Sequence, residues 1–259
     1  MTLPLSGRFA DPWNVSQLRY HDGHRWTDDV AAPERVAGFP LGQRTLTFRS
    51  VPAHQRGGLC CSVSGDRGVH VATVRSRSRI PAIVGRDRRS LVFDVVEPSG
   101  APILTIARHG ANRQLRIDAE SPDGRRVGQL RQISSAGRQF RTGQVTFAVD
   151  SGLQQVATAD FGIRPSDNRY ADVQESILDP SGACIATVTR QGRFVANFDL
   201  AGTSDSAFVY KLDCLHRLAE PTPTLLLVTA FTYYLIDRLA DSGIFGAISR
   251  FVLQPSWER

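Results

Sequence analysis

The chain has 259 residues, enough for one large domain, or a domain with a small appendage, and for a real buried core. Hydrophobic residues make up 41%, an ordinary globular share and not that of a multi-span membrane protein. Net charge is +6, and Lys211 is the only lysine among 31 basic residues, so the positive charge is carried by arginine, whose planar fork suits phosphate and carboxylate oxygens.

Residues 1–30 form a small N-terminal module, with its compact part over residues 7–30. Asp11-Pro12 is followed by Tyr20, Asp22-Gly23 and Trp26. Asp-Gly between short aromatic and polar runs is a strong hairpin signal. Trp13, Tyr20 and Trp26 supply the apolar content of so small a unit, and His21 and His24 read as residues flanking the hairpin. The pattern resembles a short actinobacterial module of unknown function, G-W-Y-x-D-P followed by R-Y-W-D-G-x-x-W-T, with Phe9 and His21 replacing two of its aromatic positions. The resemblance brings no chemistry with it; such modules commonly precede other domains, and a protein partner is the expectation for this one.

Residues 31–44 carry prolines and glycines without periodic apolar residues and read as a linker. From Arg44 to Cys214 the chain reads as strand after strand. Leu115-Ile117-Ala119, Val145-Phe147-Val149, Phe194-Ala196-Phe198-Leu200 and Phe208-Tyr210-Leu212-Cys214 alternate with polar neighbours, the period of strands with one dry face. About a dozen such segments point to a large antiparallel sheet or a closed barrel.

A repeat runs through them. Glu97-Pro98-Ser99-Gly100, Ser121-Pro122-Asp123-Gly124 and Asp179-Pro180-Ser181-Gly182 are turns of one kind. Apolar residues recur three and six positions after each glycine: Ile103 and Ile106, Val127 and Leu130, Ile185 and Val188. Gly68, with Val71 and Val74, begins a fourth copy. A spacing of three breaks strict alternation, so each copy contains either a bulge or a doubly buried strand.

Arginines cluster in two windows. One holds Arg67, Arg75, Arg77, Arg79, Arg86, Arg88 and Arg89; the other runs from Arg108 to Arg141 and includes Arg125 and Arg126. Lying on one face, they attract anionic lipid head groups or nucleic acid. Aromatic residues interleaved with the arginines, which single-strand binding wants, are nearly absent, so nucleic acid is the weaker expectation. Cys60, Cys61, Cys184 and Cys214 do not form a disulfide framework and read as buried thiols of a reduced, cytoplasmic protein. Asp160 and Asp167 read as loop residues.

From Pro221 to Ile236, sixteen consecutive residues carry no charge. Leu225, Leu226, Leu227, Val228, Phe231, Tyr234, Leu235 and Ile236 make the segment apolar on every helical face, and Thr222 is its expected cap. Such a helix, over residues 223–240, needs apolar surroundings on all sides, and the run is short of the ~20 residues a bilayer span usually takes. Burial in a protein shell is the expectation, with membrane insertion as the alternative. After Ser242-Gly243, residues 242–259 carry a second apolar stripe beside Arg250, an amphipathic helix suited to covering the barrel or lying on an anionic surface.

The order of parts, the turns with Ile103-x-x-Ile106-x-Arg108, and the ending Leu235-Ile236-Asp237 resemble the phospholipid scramblase and LURP-one-related family, over roughly residues 45–241. That resemblance implies a tubby-like fold: mainly β, with about twelve antiparallel strands closed around a C-terminal hydrophobic helix. It also implies a phospholipid-interacting protein at an anionic membrane surface, peripheral at the inner face of the plasma membrane, with transbilayer lipid movement as the related activity. The acidic segment that holds calcium in such scramblases is reduced here to Asp205 and Asp213 with Lys211 between them, too few oxygens for calcium. No metal or cofactor is therefore expected. No nucleophile elbow, phosphate-binding loop, dinucleotide turn or HExxH occurs, which gives no basis for an enzyme. The alternative function is a soluble cytoplasmic adaptor without lipid activity that binds a protein partner or, as the weaker expectation, nucleic acid.

Overall fold

The computed structural model describes residues 6–51, 59–77, 90–110, 115–135, 138, 144–162, 172–191 and 209–239, with side chains of the final helix described through Ile236. The predicted strand Phe194–Leu200, the residues Arg79, Arg86, Arg88, Arg89, Asp167 and Asp205, and the stripe in 242–259 lie outside them.

Three strands, β1 (Gly7–Ala10), β2 (Leu18–His21) and β3 (Trp26–Ala31), make a separate antiparallel sheet. The N-terminal unit is thus a three-stranded meander, one strand more than the hairpin read from Asp22-Gly23. Phe9 and His21 pack edge-on against Trp26, so the aromatic content holds the strands together.

Twelve further strands close a barrel: β4 (Thr45–Val51), β5 (Cys60–Ser64), β6 (His70–Ser76), β7 (Leu91–Val96), β8 (Pro102–His109), β9 (Arg116–Glu120), β10 (Arg126–Gln132), β11 (Gln144–Ser151), β12 (Gln154–Gly162), β13 (Val173–Leu178), β14 (Cys184–Gln191) and β15 (Val209–Cys214). Each pairs antiparallel with its sequence neighbours, and β15 returns to β4 with Leu212 opposite Leu46. Closure removes the exposed sheet edges that an open array would present. Asp160 stands on β12, not in a loop, and its carboxylate accepts the Thr146 hydroxyl proton at 2.6 Å.

The turn repeat resolves into one device. In three copies the Gly amide donates to the residue three before it, as in Gly100 N–H to the Glu97 carbonyl at 2.8 Å, and the glycines take φ of 88° (Gly100), 80° (Gly124) and 88° (Gly182). The register then slips by one residue in the second strand. Val95 and Val96 face Leu104 and Pro102, leaving Ile103 as the extra residue. The same reading of the partners makes Val127, Ile185 and Val71 the extra residues of their hairpins. The spacing of three is therefore a bulge in all four copies, and the residue six after the glycine, Ile106, Leu130, Val188 or Val74, returns to the buried face.

These turns all lie at one end of the barrel, because they join odd-numbered strands to the next even-numbered strand. A helix, α1 (Thr222–Leu239), enters from that end and fills the interior. Leu225, Leu226, Leu227, Val228, Phe231, Tyr234, Leu235 and Ile236 are all buried. Its polar groups are satisfied within the core. Thr229 and Thr232 donate to the carbonyls of Leu225 and Val228, both at 2.8 Å, while Tyr233 donates to the Asp160 carbonyl and Tyr234 shares a hydrogen bond with Ser50, both at 2.7 Å. Thr222 is the first helical residue, not the cap; the Pro221 carbonyl accepts the Leu225 N–H at 3.0 Å. No helix among the described residues is long and apolar enough to cross a membrane.

The segment read as a linker closes the turn end. Phe39 and Leu41 pack on the core, and Gly38 accepts the Leu218 N–H at 2.8 Å. Gln43, buried, donates to the Glu34 carbonyl at 2.6 Å and accepts the Asp66 N–H at 3.1 Å, tying this segment to the β5–β6 turn.

Candidate anion-binding groove

Among the described residues, the members of the two arginine windows stand at separate places on the barrel. Arg75 and Arg77 stand at the far end of β6, whereas Arg125 and Arg126 stand at the turn end of β10, four strands round the barrel. Several are also neutralised. Arg77 grips Asp94 with Nε and Nη2, at 2.9 and 2.7 Å to Oδ1, and that carboxylate pushes its guanidinium pKa further up. Arg126 meets Asp118 at 3.0 Å, and Asp118 also takes Arg116 and His109; Arg131 meets Asp150 at 3.3 Å. Among the described residues, Arg77, Arg116, Arg126 and Arg131 are thus spent on ion pairs along or across strands. Arg75 lies opposite Cys60, and its charge opposes the upward push that burial gives that thiol.

Cations converge instead on the outside of β15, β4 and the β5–β6 turn. There a groove of about 340 Å³ is lined by Thr45, Thr47, Arg49, Ser64, Gly65, Asp66, Arg67, Gly68 and Lys211. Strand alternation puts it there: Leu46, Phe48 and Leu212 face the core, so Thr45, Thr47, Arg49 and Lys211 face outward. Register sets Thr47 opposite Lys211 and Ser64 on the other side. No carboxylate among the described residues pairs with Arg49 or Arg67.

Lys211 meets Asp213 at 2.9 Å, and Asp213 also accepts the Thr45 hydroxyl proton at 2.8 Å. The remnant of the expected acidic segment therefore serves to anchor Lys211 and β4 at the groove margin. Gln43 braces the turn from behind, for a side chain at Gly65 would stand 2.6 Å from its Oε1. Hydroxyls, turn backbone and the guanidinium groups of Arg49 and Arg67, unpaired among the described residues, can hold an anionic oxygen cluster on this braced wall, with Lys211, shared with Asp213, adding a point charge and Asp66 the one carboxylate residue on the lining. Among the described residues no group of three or more His, Cys, Asp or Glu side chains is placed to hold a metal. All four cysteines are free thiols, and burial pushes that of Cys214 up to about 12.

The N-terminal site residues serve to hold their own loop. Buried Asp11 accepts the Trp13 N–H at 2.9 Å, Gln17 Nε2 at 2.7 Å and Arg19 Nε at 3.0 Å. Burial pushes its carboxyl up, and these hydrogen bonds outweigh it, leaving the pKa below the usual carboxylate range. Pro12 is exposed beside it. Asp22 accepts the N–H groups of His24 and Arg25, both at 2.8 Å, around Gly23 with φ of 99°, and Tyr20 lies opposite Arg8.

Sequence reasoning missed the groove because its members are scattered. Arg49 lay outside both windows, Arg67 was one of many arginines, and Lys211 stood out only as the single lysine. Comparison with family models, with curated proteins and with solved structures finds no match to this chain.

Proposed function

We propose that the protein binds anionic phospholipid head groups at a membrane surface, and that the groove between β15, β4 and the β5–β6 turn is where the phosphate sits. The observation that carries this reading is the convergence of Arg49, Arg67 and Lys211 with the hydroxyls of Thr45, Thr47 and Ser64 around one external groove of about 340 Å³. Since α1 fills the interior, a head group meets the outer wall and does not pass through the barrel. The reading belongs with the scramblase-like resemblance, but it assigns binding and not lipid transport, and it takes the protein to be peripheral.

Flotation with neutral and with anionic vesicles, at low and high salt, tests it. Binding is expected to anionic vesicles alone and to fall with salt, as screening weakens exposed charge pairs. The triple change Arg49→Gln, Arg67→Gln, Lys211→Gln is expected to abolish it while leaving the far-ultraviolet circular dichroism unchanged. Undiminished flotation of that variant assigns binding elsewhere, and flotation of neither protein removes the lipid reading.

A further inference from the structure

The loop joining β1 to β2 presents two large apolar side chains to solvent: Trp13, 71% exposed, and Val15, 54% exposed. An isolated exposed apolar residue needs no explanation, but here two project from a loop that is rigidly held. Asp11 caps the Trp13 backbone and cross-links Gln17 and Arg19, the Gln17 N–H donates to the Asn14 carbonyl at 3.1 Å, and the Arg19 guanidinium lies 4.9 Å over the indole. The chain thus spends a buried carboxylate and three hydrogen bonds on ordering a loop that keeps its largest ring outside.

The loop is also fixed to the barrel beside the groove. The His70 N–H donates to the Val15 carbonyl at 2.7 Å, and β1 packs against the turn Asp66–Gly68, whose residues line the groove. A rigid, half-polar indole, a neighbouring valine and a cationic groove therefore share one end of the molecule. Indole is suited to the level of lipid head groups, where its ring is half in hydrocarbon and its N–H remains wet.

We propose that Trp13 and Val15 form a wedge that enters the interfacial layer of an anionic bilayer while the groove takes a head group, so that this end of the barrel faces the membrane. The wedge rests on the lipid-binding reading and adds to it an orientation and a depth. Electrostatic capture at Arg49, Arg67 and Lys211 brings the surface near, and apolar burial of the two side chains lengthens the residence. The occupant is the bilayer interface and not a protein partner, because the adjoining groove supplies the matching positive charge.

The test uses the full chain in a Trp257→Phe background, with anionic vesicles whose acyl chains carry bromine near the head group. Tryptophan emission is expected to be quenched on binding, Trp13→Ala to remove the quenching, and Trp13→Ala or Val15→Asp each to weaken vesicle affinity by about tenfold, the scale of one large side chain leaving an apolar environment. Flotation without quenching, or equal affinity of the variants, overturns the wedge and leaves the groove reading standing. Absence of flotation by the unaltered chain overturns both.

Discussion

Leu225, in the first turns of α1, rests directly on Gly128 of β10. A Cβ at Gly128 would stand 2.9 Å from both δ-carbons of Leu225 and 2.5 Å from the Asp150 carbonyl oxygen. The glycine is therefore the point at which the wall lets the helix in. Gly128→Ala is expected to destabilise the fold by about 1–3 kcal/mol, the usual scale of overpacking, seen as a lowered Tm. Adding Leu225→Ala is expected not to restore it, because the carbonyl contact remains. Full rescue by the second change would place the whole conflict on the leucine.

Much of this architecture was written in local patterns. Alternation located the strands, and the run from Leu225 to Ile236 demanded a shell on all sides. The spacing of Ile103 from Gly100 announced an irregularity, but whether it was a bulge depended on the partner strand, and no local pattern carries that. Closure was one of two readings the strand pattern allowed and the one the family resemblance implied; the local patterns could not choose it, since the pairing of β15 with β4 joins residues about 165 apart, such as Asp213 and Thr45 (168). The groove was the least visible part. Arg49, Arg67 and Lys211 come from three separate stretches and meet only because closure sets β15 beside β4. Arginine density pointed instead to Arg77 and Arg126, which cross-strand carboxylates occupy.

Glu175 closes a weak place in the wall. The partners of β12 and β13 are Thr158 with Leu178 and Ala159 with Ile177, and beyond them Glu175 Oε1 accepts the Gly162 N–H at 3.0 Å. Burial first, and then the charge of Asp160, push its pKa above the ordinary 4.5, against the lowering effects of the Gly162 hydrogen bond and Arg190. A raised carboxylate favours the folded state in its protonated form, so its contribution is full below the ordinary value and is lost as pH rises through the raised one. Glu175→Gln keeps the acceptor without the charge. Thermal melts across pH 4 to 8 are expected to show a decline in the unaltered protein that is flattened in the variant, which is the more stable of the two at pH 8. An equal slope in both proteins would exclude Glu175 as its source.

His70 has the opposite sign. Its Nδ1 lies 3.0 Å from the Ser62 hydroxyl and its Nε2 3.0 Å from the Thr73 hydroxyl, and burial holds its pKa below the ordinary 6.5. A depressed histidine favours the neutral form in the fold, so its contribution is full above the ordinary value and is lost as pH falls through the depressed one. His70→Gln, which keeps hydrogen-bonding groups at both ends, is expected to remove the part of the acid-side loss of Tm that begins just below pH 6.5. A direct titration by NMR checks the cause: the His70 ring must titrate below the ordinary histidine range.

Phe231 stands at the centre of the core, its ring 5.2 Å from that of Phe93 and 5.9 Å from that of Tyr234. Phe231→Ala leaves a cavity that the closed barrel is poorly able to collapse, because each wall strand is fixed by two neighbours. The expected loss is about 3–5 kcal/mol, within the total stability of an ordinary domain and so measurable by denaturant titration. Leu227→Asp is more severe, since an unpaired carboxylate then faces an apolar core and the barrel is expected not to fold. The same change distinguishes a core helix from an anchor in the membrane. Were α1 to leave the barrel and insert in a bilayer, Leu227→Asp would release a folded, soluble barrel; limited proteolysis and circular dichroism of the variant are instead expected to show loss of the whole β-structure.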